Sequence, residues 1–151
     1  MQAALQPTDR VALVTGGARR IGAAIVRALT QTGYAVAIHA YRSRAEADAL
    51  RVEVEAAGSR AAVVIADLAD RGAVADLVGL SVHALGPLTL LVNNAGEFET
   101  DVFGALERER VERQFAVNLW APLFLAQTFA AQARRDDDAS IVKTALEAIT
   151  V

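Results

Sequence analysis

The stretch at residues 10–22, RVALVTGGARRIG, decides the fold of this 151-residue chain. Its first half is apolar and rich in β-branched residues, and Gly16 and Gly17 end that run, which is typical of a buried strand followed by a tight turn. Beyond the turn, apolar residues recur at helical spacing: Ile21, Ile25, Ala28 and Leu29. Gly33 is a natural stop for such a helix. The sequence therefore predicts a strand, a glycine-rich turn and a helix in direct succession.

The same alternation continues along the chain. Short apolar runs predict strands at residues 10–15, 34–39, 61–66, 88–92 and from residue 140. Helical patterns predict further helices at residues 43–58, after residue 67 and over 106–135, and Ser43 with Glu46 forms a candidate capping box. Because the strands are apolar on both faces, the pattern predicts an α/β fold, a doubly wound parallel sheet of Rossmann type in three α/β/α layers.

The composition excludes several classes of protein. With no cysteine, disulfide frameworks, thiolate chemistry and the usual Cys/His zinc sites are absent from the sequence, and no metal site is predicted. A net charge of −3 gives no electrostatic footprint for nucleic acid. The uncharged stretch at 114–133 carries polar residues on one helical face and Pro122, so a half-buried helix is preferred to a membrane span. No secretory signal is visible, which favours a cytoplasmic location.

The glycine-rich turn after the first strand is a candidate phosphate site. Free backbone N–H groups and the positive end of a helix dipole favour an anion there, and Arg19 and Arg20 add charge. Gly22 would let the helix pack closely on the strand. The spacing does not match G-x-G-x-x-G, and a tight turn with solvated arginines is the alternative.

The residues after the second strand bear on the choice of coenzyme. A free ribose 2′-hydroxyl is usually bound by an Asp or Glu about 20 residues past the glycines, but the segment here is HAYRS at residues 39–43. Arg42 and Ser43 suit a 2′-phosphate, which indicates NADP(H) rather than NAD. The alternative is that Arg42 is merely exposed and Ser43 merely caps the next helix.

Polar residues also follow the third and fourth strands. Asp67, followed by Leu68, can accept a hydrogen bond from an adenine amino group or cap the next helix. The Asn94-Ala95-Gly96 turn can line a cofactor. Asn118 lies in an apolar helical neighbourhood, either as a satisfied core amide or as a bracket for water or backbone near the site. The glycine turn, Asp67 and the Asn94 turn are predicted to line one cleft at the carboxyl edge of the sheet.

These motifs together resemble the short-chain dehydrogenase/reductase family, from about residue 10 to residue 149. The specific parts are TGGARRIG at 15–22, ADL at 66–68, NNAG at 93–96 and the Asn118 helix. The resemblance implies one dinucleotide-binding domain over 1–151 and a homo-oligomer, either a dimer or a tetramer. It implies NADP(H) contacts at Gly16, Arg19, Arg20, Ile21, Gly22, His39, Tyr41, Arg42, Ser43, Asp67, Leu68, Asn94, Ala95 and Gly96.

Two features resemble the pteridine reductase branch of that family. Arg20 stands where the family usually has glycine, and HAYRS resembles the His/Arg/Ser cluster that binds the NADPH phosphates in that branch. Phe98 falls in register with a phenylalanine that stacks on the pterin ring, although an ordinary loop anchor is an equal alternative. The resemblance thus implies a small-molecule substrate that contacts Phe98 and Arg20.

The family's mechanism transfers a hydride from the nicotinamide to a carbonyl or imine. A tyrosine supplies the proton, and a lysine four residues later binds the nicotinamide ribose and lowers the tyrosine pKa. An asparagine on the long helix holds a relay water. By resemblance, Asn118 matches that asparagine and Lys143 that lysine.

The chain departs from the family at the proton donor. Position 139 is Ala where the tyrosine should stand, and ASIV at 139–142 continues into KTALEAIT without a turn. We therefore expect a segment between Val142 and Lys143, and residues after Val151, to be missing from the sequence, leaving the fold incomplete at its C-terminal side. The alternatives to a pterin-like reductase are a non-catalytic NADP(H)-binding module and a reductase of ketone, sugar or acyl-carrier substrates.

Overall fold

A single parallel sheet forms the centre of the molecule. The computed structural model describes residues 10–99, 102, 104–133 and 138–144. All strand pairs in the described residues are parallel, and the strand order is β3-β2-β1-β4-β5. The strands are β1 (Val11–Val14), β2 (Ala35–Ala40), β3 (Ala61–Ile65), β4 (Leu90–Asn93) and β5 (Ser140–Lys143). The predicted doubly wound α/β fold is confirmed.

Helices cover both faces of this sheet. They are α1 (Arg20–Gln31), α2 (Arg44–Ala56), α3 (Arg71–Leu85), α4 (Arg108–Phe115) and α5 (Ala121–Gln132). Alternate residues of β1 contribute to two apolar clusters: Ala12 and Val14 pack with α1 and α2, whereas Val11 and Leu13 pack with α3 and α5. Successive side chains of a strand point to opposite faces, so the two clusters are the two interfaces of a three-layer structure.

The order of the strands fixes where a ligand can bind. β1 lies between β2 and β4, with Leu13 opposite both Ala37 and Leu91. The chain therefore winds in one direction from β1 to β3 and in the other from β1 to β5. The crevice outside the carboxyl ends of β1 and β4 is the switch point, the usual ligand site of open α/β sheets.

The structure differs at two helix starts from a sequence prediction, the Ser43 capping box, and from one of two alternatives for Asp67, a helix cap. Ser43 does precede α2, but its side chain makes no capping hydrogen bond, so the predicted capping box with Glu46 is not formed. Asp70, not Asp67, caps α3: its carboxylate accepts hydrogen bonds from the N–H groups of Gly72 and Ala73. Asp67 instead forms an ion pair with Arg113, which is 46 residues away in the sequence.

The predicted long helix at 106–135 contains a wider turn. A π-helical segment (Ala116–Trp120) separates α4 from α5, and the Ala121 N–H donates to the Ala116 carbonyl, five residues back. The predicted end near residue 135 lies outside the described residues, and the helix is described to Gln132. Periodicity could not reveal this turn, because one extra residue shifts an apolar pattern only slightly.

Candidate functional site

The glycine loop and the start of α1 pack tightly against each other. Gly16 has φ +61°, in the left-handed region that glycine adopts readily. A Cβ placed on Gly22 would collide with the Gly16 carbonyl oxygen and would lie 2.8 Å from the Asn94 side-chain nitrogen. Gly22 therefore allows the first turn of α1 to approach the end of β1, as its position in the sequence predicts.

Thr15 joins the glycine loop to the turn after β4. Its buried Oγ1 accepts hydrogen bonds from the N–H groups of Asn94 and Ala95, each at 3.0 Å. The Asn94 side-chain amide donates to the carbonyls of Thr15, at 3.0 Å, and Gly16, at 3.2 Å. The structure thus brings the two predicted turns together at the carboxyl edge. Gly96 lies beside Asn118 on the same side, since a Cβ there would be 3.5 Å from Asn118 Oδ1.

The amino end of α1 is open for an anion. Its N-cap residue, Arg19, makes no side-chain capping bond, and the first turn holds no acidic residue. Arg19, Arg20 and Ile21 are all exposed there, and Arg19 makes only a loose, solvent-exposed pair with Glu46 at 3.8 Å. Arg20 has φ +50°, which explains why a glycine is ordinarily favoured at its position. Uncapped N–H groups and two cations together suit a phosphate.

His39 does not have the phosphate-binding role that the resemblance implies. Its side chain is buried, with 1% exposed. Nδ1 accepts a hydrogen bond from the Gly16 N–H at 3.0 Å, and Nε2 lies 3.0 Å from the Ala66 carbonyl oxygen, to which it donates in the neutral tautomer. Burial lowers the pKa of His39, against weaker opposing effects of the Ala66 carbonyl and the Asp67 charge. The ring is therefore a neutral link between the glycine loop and the end of β3.

The rest of the HAYRS segment lies at the surface. The Arg42 guanidinium carbon is 5.0 Å from the centre of the Tyr41 ring, a cation–π contact, and both residues are exposed. Ser43 is half-buried, and its hydroxyl is not used to cap α2. Among the described residues Arg42 forms no ion pair with a carboxylate. Its charge is thus available to a ligand beyond the end of β2.

Asp67 is held by an arginine that sequence reasoning missed. Arg113 Nη1 lies 3.0 Å from Asp67 Oδ2 and Arg113 Nη2 lies 3.2 Å from Oδ1, while the Ala69 N–H donates to Oδ1 at 2.9 Å. Partial burial pushes the pKa of Asp67 upward, but these hydrogen bonds outweigh it and leave that pKa below its ordinary value. The adjacent Leu68 is buried in the apolar core, so only its backbone remains for the predicted cofactor contact.

Asn118 brackets a backbone segment, as one of its two sequence interpretations proposed. Its Oδ1 accepts from the Glu97 N–H at 2.9 Å, and its Nδ2 donates to the Glu97 carbonyl at 2.7 Å. Arg113 Nε also donates to the Glu97 carboxylate at 2.8 Å. The loop after NNAG is therefore fixed to the long helix by both residues. Phe98, the next residue, is 77% exposed beside this anchor.

Lys143, the residue that matches the family's lysine, lies on a strand. It is the last residue of β5, exposed and in register with Asn93. Thr144 follows it, and the Thr144 hydroxyl donates to Asn94 Oδ1 at 3.2 Å. The remainder of KTALEAIT lies outside the described residues. Lys143 is thus beside the NNAG turn, and position 139, just before β5, is Ala.

Sequence reasoning missed the supporting polar residues: Thr15, Glu97 and Arg113. Thr15 carried a weak signal, because it is the polar residue that ends an apolar strand. Arg113 carried none, since its partner Asp67 is 46 residues away in sequence. Within the described ranges no cluster of potential metal ligands occurs. In those same ranges no helix combines the length and apolarity that crossing a membrane requires.

Comparison with known proteins places this site in a family. The profile described as "short chain dehydrogenase" matches residues 10–148. An uncharacterized oxidoreductase of Methylorubrum extorquens is 38% identical over 118 residues, covering 78% of this chain and 48% of that protein. The L-rhamnose 1-dehydrogenase (NAD(P)(+)) of a Sphingomonas species is 36% identical over 134 residues, covering 88% of this chain and 53% of the relative.

A solved structure agrees with the fold as a whole. The FolM alternative dihydrofolate reductase 1 of Brucella suis, crystallised with NADP, superposes with a TM-score of 0.86 at 42% identity, covering 90% of this chain and 56% of the other. The chain thus spans about half the length of the relatives it matches. The strand order, the glycine loop, the NNAG turn and these likenesses agree, and the chain belongs to the short-chain dehydrogenase/reductase family.

Proposed function

We propose that residues 1–151 act as one NADP(H)-binding domain of a reductase. The observation that carries this proposal is the junction of the glycine loop and the Asn94 turn at the β1/β4 switch point, to which Asp67 is linked through Arg113 and Glu97. One dinucleotide extends across such a crevice, with its pyrophosphate at the amino end of the first helix. The residues fit that group: α1 begins without a side-chain cap, and Gly22 leaves no room for a Cβ between the loops.

The choice of NADP(H) over NAD(H) rests on charge. Arg42 and Arg20 are exposed cations at the ends of β2 and of the glycine loop, and no carboxylate follows β2 within residues 39–43. A guanidinium matches a 2′-phosphate, whereas a carboxylate would repel it. Ser43, with its hydroxyl uncommitted to capping, and Tyr41 complete this group. The FolM structures from Brucella suis and Brucella canis, both described with NADP, support the same coenzyme.

The proposed reaction is hydride transfer to a carbonyl or imine. NADPH supplies the hydride, and the substrate gains a proton as well. Asn118 would hold the loop that faces the reacting groups, and Lys143 would supply positive charge beside the nicotinamide ribose. Phe98, exposed next to the Glu97 anchor, and Arg20 favour a flat, pterin-like substrate, and the likeness to an alternative dihydrofolate reductase supports that class. Ketones, sugars and acyl-carrier substrates are the other classes for this family.

A second candidate function is a non-catalytic NADP(H)-binding module. The observation in its favour is Ala139, four residues before Lys143, where the family places its proton-donating tyrosine. Tyr34 and Tyr41 flank β2, which β1 and β4 separate from β5 and Lys143, so neither takes the place of that tyrosine. In this case the domain would bind NADP(H) without catalysing a reaction.

A homo-oligomer is proposed from the outer face of the long helix. A groove of about 550 Å³ lies between α3 and this helix, and large apolar side chains of the helix are exposed. They are Phe115, Leu119, Trp120, Leu123 and Phe124. An apolar strip of this kind is typical of a surface that associates with another protein surface.

The two functions are separated by one pair of measurements. Titration with NADPH and NADH, followed by coenzyme fluorescence, tests binding, and NADPH oxidation with a panel of pterins, quinones, ketones and sugars tests turnover. Tight NADPH binding with turnover supports the reductase, and tight binding without turnover on any substrate supports the binding module. Absence of NADPH binding would contradict both.

A further inference from the structure

Arg113 links two loops that the coenzyme cleft needs in one arrangement. Its two terminal nitrogens form a fork on Asp67, which follows β3, and its Nε donates to Glu97, which follows the NNAG turn. The side chains of Arg113, Asp67 and Glu97 are only 32%, 25% and 26% exposed. Planar, charge-assisted hydrogen bonds of this kind fix direction as well as distance.

Arg113 and Asn118 contact the same loop residue, Glu97, from different turns of the long helix. Arg113 and Asn118 are five residues apart, which on a regular α-helix separates side chains by about 140° around the axis. Asn118 lies within the π-helical turn at Ala116–Trp120, whereas Arg113 precedes that turn in α4. Both reach Glu97, Arg113 through its carboxylate and Asn118 through its backbone.

The hydrogen bonds around Asp67 define which acceptor position a ligand can use. A carboxylate offers about four acceptor positions. Arg113 takes one on each oxygen and the Ala69 N–H takes a second on Oδ1. Among the described residues these hydrogen bonds leave one acceptor position on Oδ2. The Asp67 side chain is 25% exposed, and this remaining position on Oδ2 is the one that an incoming amino group can occupy.

Resting on the proposed NADP(H) binding, we propose that Arg113 is a positioning residue for coenzyme recognition. It holds the Asp67 carboxylate so that one acceptor position faces the adenine amino group, and it ties that orientation to the loop carrying Glu97 and Phe98. Recognition of adenine and placement of the substrate-side loop are thereby joined through one guanidinium.

The test compares NADPH with its hypoxanthine analogue, in which a carbonyl replaces the amino group. A held carboxylate attracts the amino group and repels the carbonyl, so the ratio of the two affinities reports the orientation of Asp67. The variants, made in the full chain, are Arg113→Gln and Arg113→Lys. The matched control is Arg108→Gln, which removes an 89%-exposed arginine paired with Glu112 on the same helix. Thermal unfolding of each variant without coenzyme checks folding.

We expect Arg113→Gln to weaken NADPH binding about tenfold and to bring the two coenzymes within about twofold of each other. Arg113→Lys, which keeps the charge but not the fork, should also lose the preference for adenine. Arg108→Gln should match the wild type. The inference is overturned if Arg113→Gln behaves like the control, if Arg113→Lys retains the wild-type preference, or if the wild type binds NADPH without preferring adenine. None of those results affects the proposed function, whereas a wild type that binds no NADPH would overturn both.

Discussion

The Nδ1 atom of His39 accepts a hydrogen bond from the backbone N–H of Gly16 at 3.0 Å, inside the protein. The loop that would hold the coenzyme phosphates is therefore supported by a titratable ring on the neighbouring strand. Because the same ring contacts the Ala66 carbonyl, it connects the glycine loop to the residue just before Asp67. A ring in this position must remain neutral, since a protonated Nδ1 would present a hydrogen to the Gly16 N–H.

This arrangement predicts a loss of stability in mild acid. Burial lowers the pKa of His39 below its ordinary value of 6.5, so the unfolded chain binds the proton more readily than the folded one. The free energy of unfolding should be unaffected by this group above about pH 6.5. Below that pH the free energy of unfolding should fall by up to about 1.4 kcal/mol per pH unit, until the folded-state pKa is reached. Urea unfolding from pH 8 to pH 5.5 measures it.

The second histidine provides the control for that experiment. His83 is exposed on α3, and the chain has only these two histidines. His83→Gln should keep the acid-induced loss, whereas His39→Gln should be less stable at pH 8 and lose most of the pH dependence between pH 8 and pH 5.5. An unchanged pH dependence in His39→Gln would show that other groups cause it.

Replacing Gly22 with Ala should disrupt the cleft. The new methyl group would collide with the Gly16 carbonyl oxygen, a backbone atom that cannot move away without displacing the glycine loop. Overpacking of this kind typically costs about 1–3 kcal/mol. We expect a lower melting temperature and loss of NADPH binding. Gly79→Ala is the matched control: nothing lies within 4 Å of a Cβ there, and alanine at this exposed position of α3 should stabilise the protein slightly.

Arg42 should set the preference for NADPH over NADH. Arg42→Ala removes the exposed guanidinium beside Tyr41 and should weaken NADPH binding about tenfold, because a charge-assisted contact to the 2′-phosphate is lost. NADH binding should change little. Arg51→Ala, which breaks an ion pair with Glu55 farther along α2, serves as the reference. Equal losses of affinity for NADPH and NADH would show that Arg42 does not act through the 2′-phosphate.

Arg20 should lower the stability of the fold through its backbone conformation and strengthen NADPH binding through its charge. Its φ of +50° costs a non-glycine residue about 1 kcal/mol or more. Arg20→Gly should therefore be more stable than Arg20→Ala by roughly that amount, since alanine retains the strain. Both variants should bind NADPH more weakly than the wild type to a similar extent, because both lose the charge. Equal stability of the two variants in urea unfolding would show that the backbone is not strained there.

The sequence by itself was sufficient for the fold and for the location of the cleft. The positions of β1 to β5 follow from apolar runs between glycines and polar turns. Strands β1, β2 and β4 are buried on both faces, as a covered parallel sheet requires. The residues at Gly16, Gly22 and Asn94 are recognisable because each follows such a strand directly. Hydrophobic patterning is a local property, so it can be read without knowing which distant segments meet.

Only the tertiary structure decided how the polar groups are paired. In the structure both ring nitrogens of His39 form hydrogen bonds with backbone groups. Asp70, rather than Asp67, caps α3. The Arg113 guanidinium donates to Asp67 and Glu97. Apart from the local Asp70 cap, these pairings join residues that are 16 to 46 positions apart in the chain. A hydrogen bond is effective only over a few tenths of an ångström and a narrow range of angles, and such geometry is set by packing of whole elements rather than by local sequence.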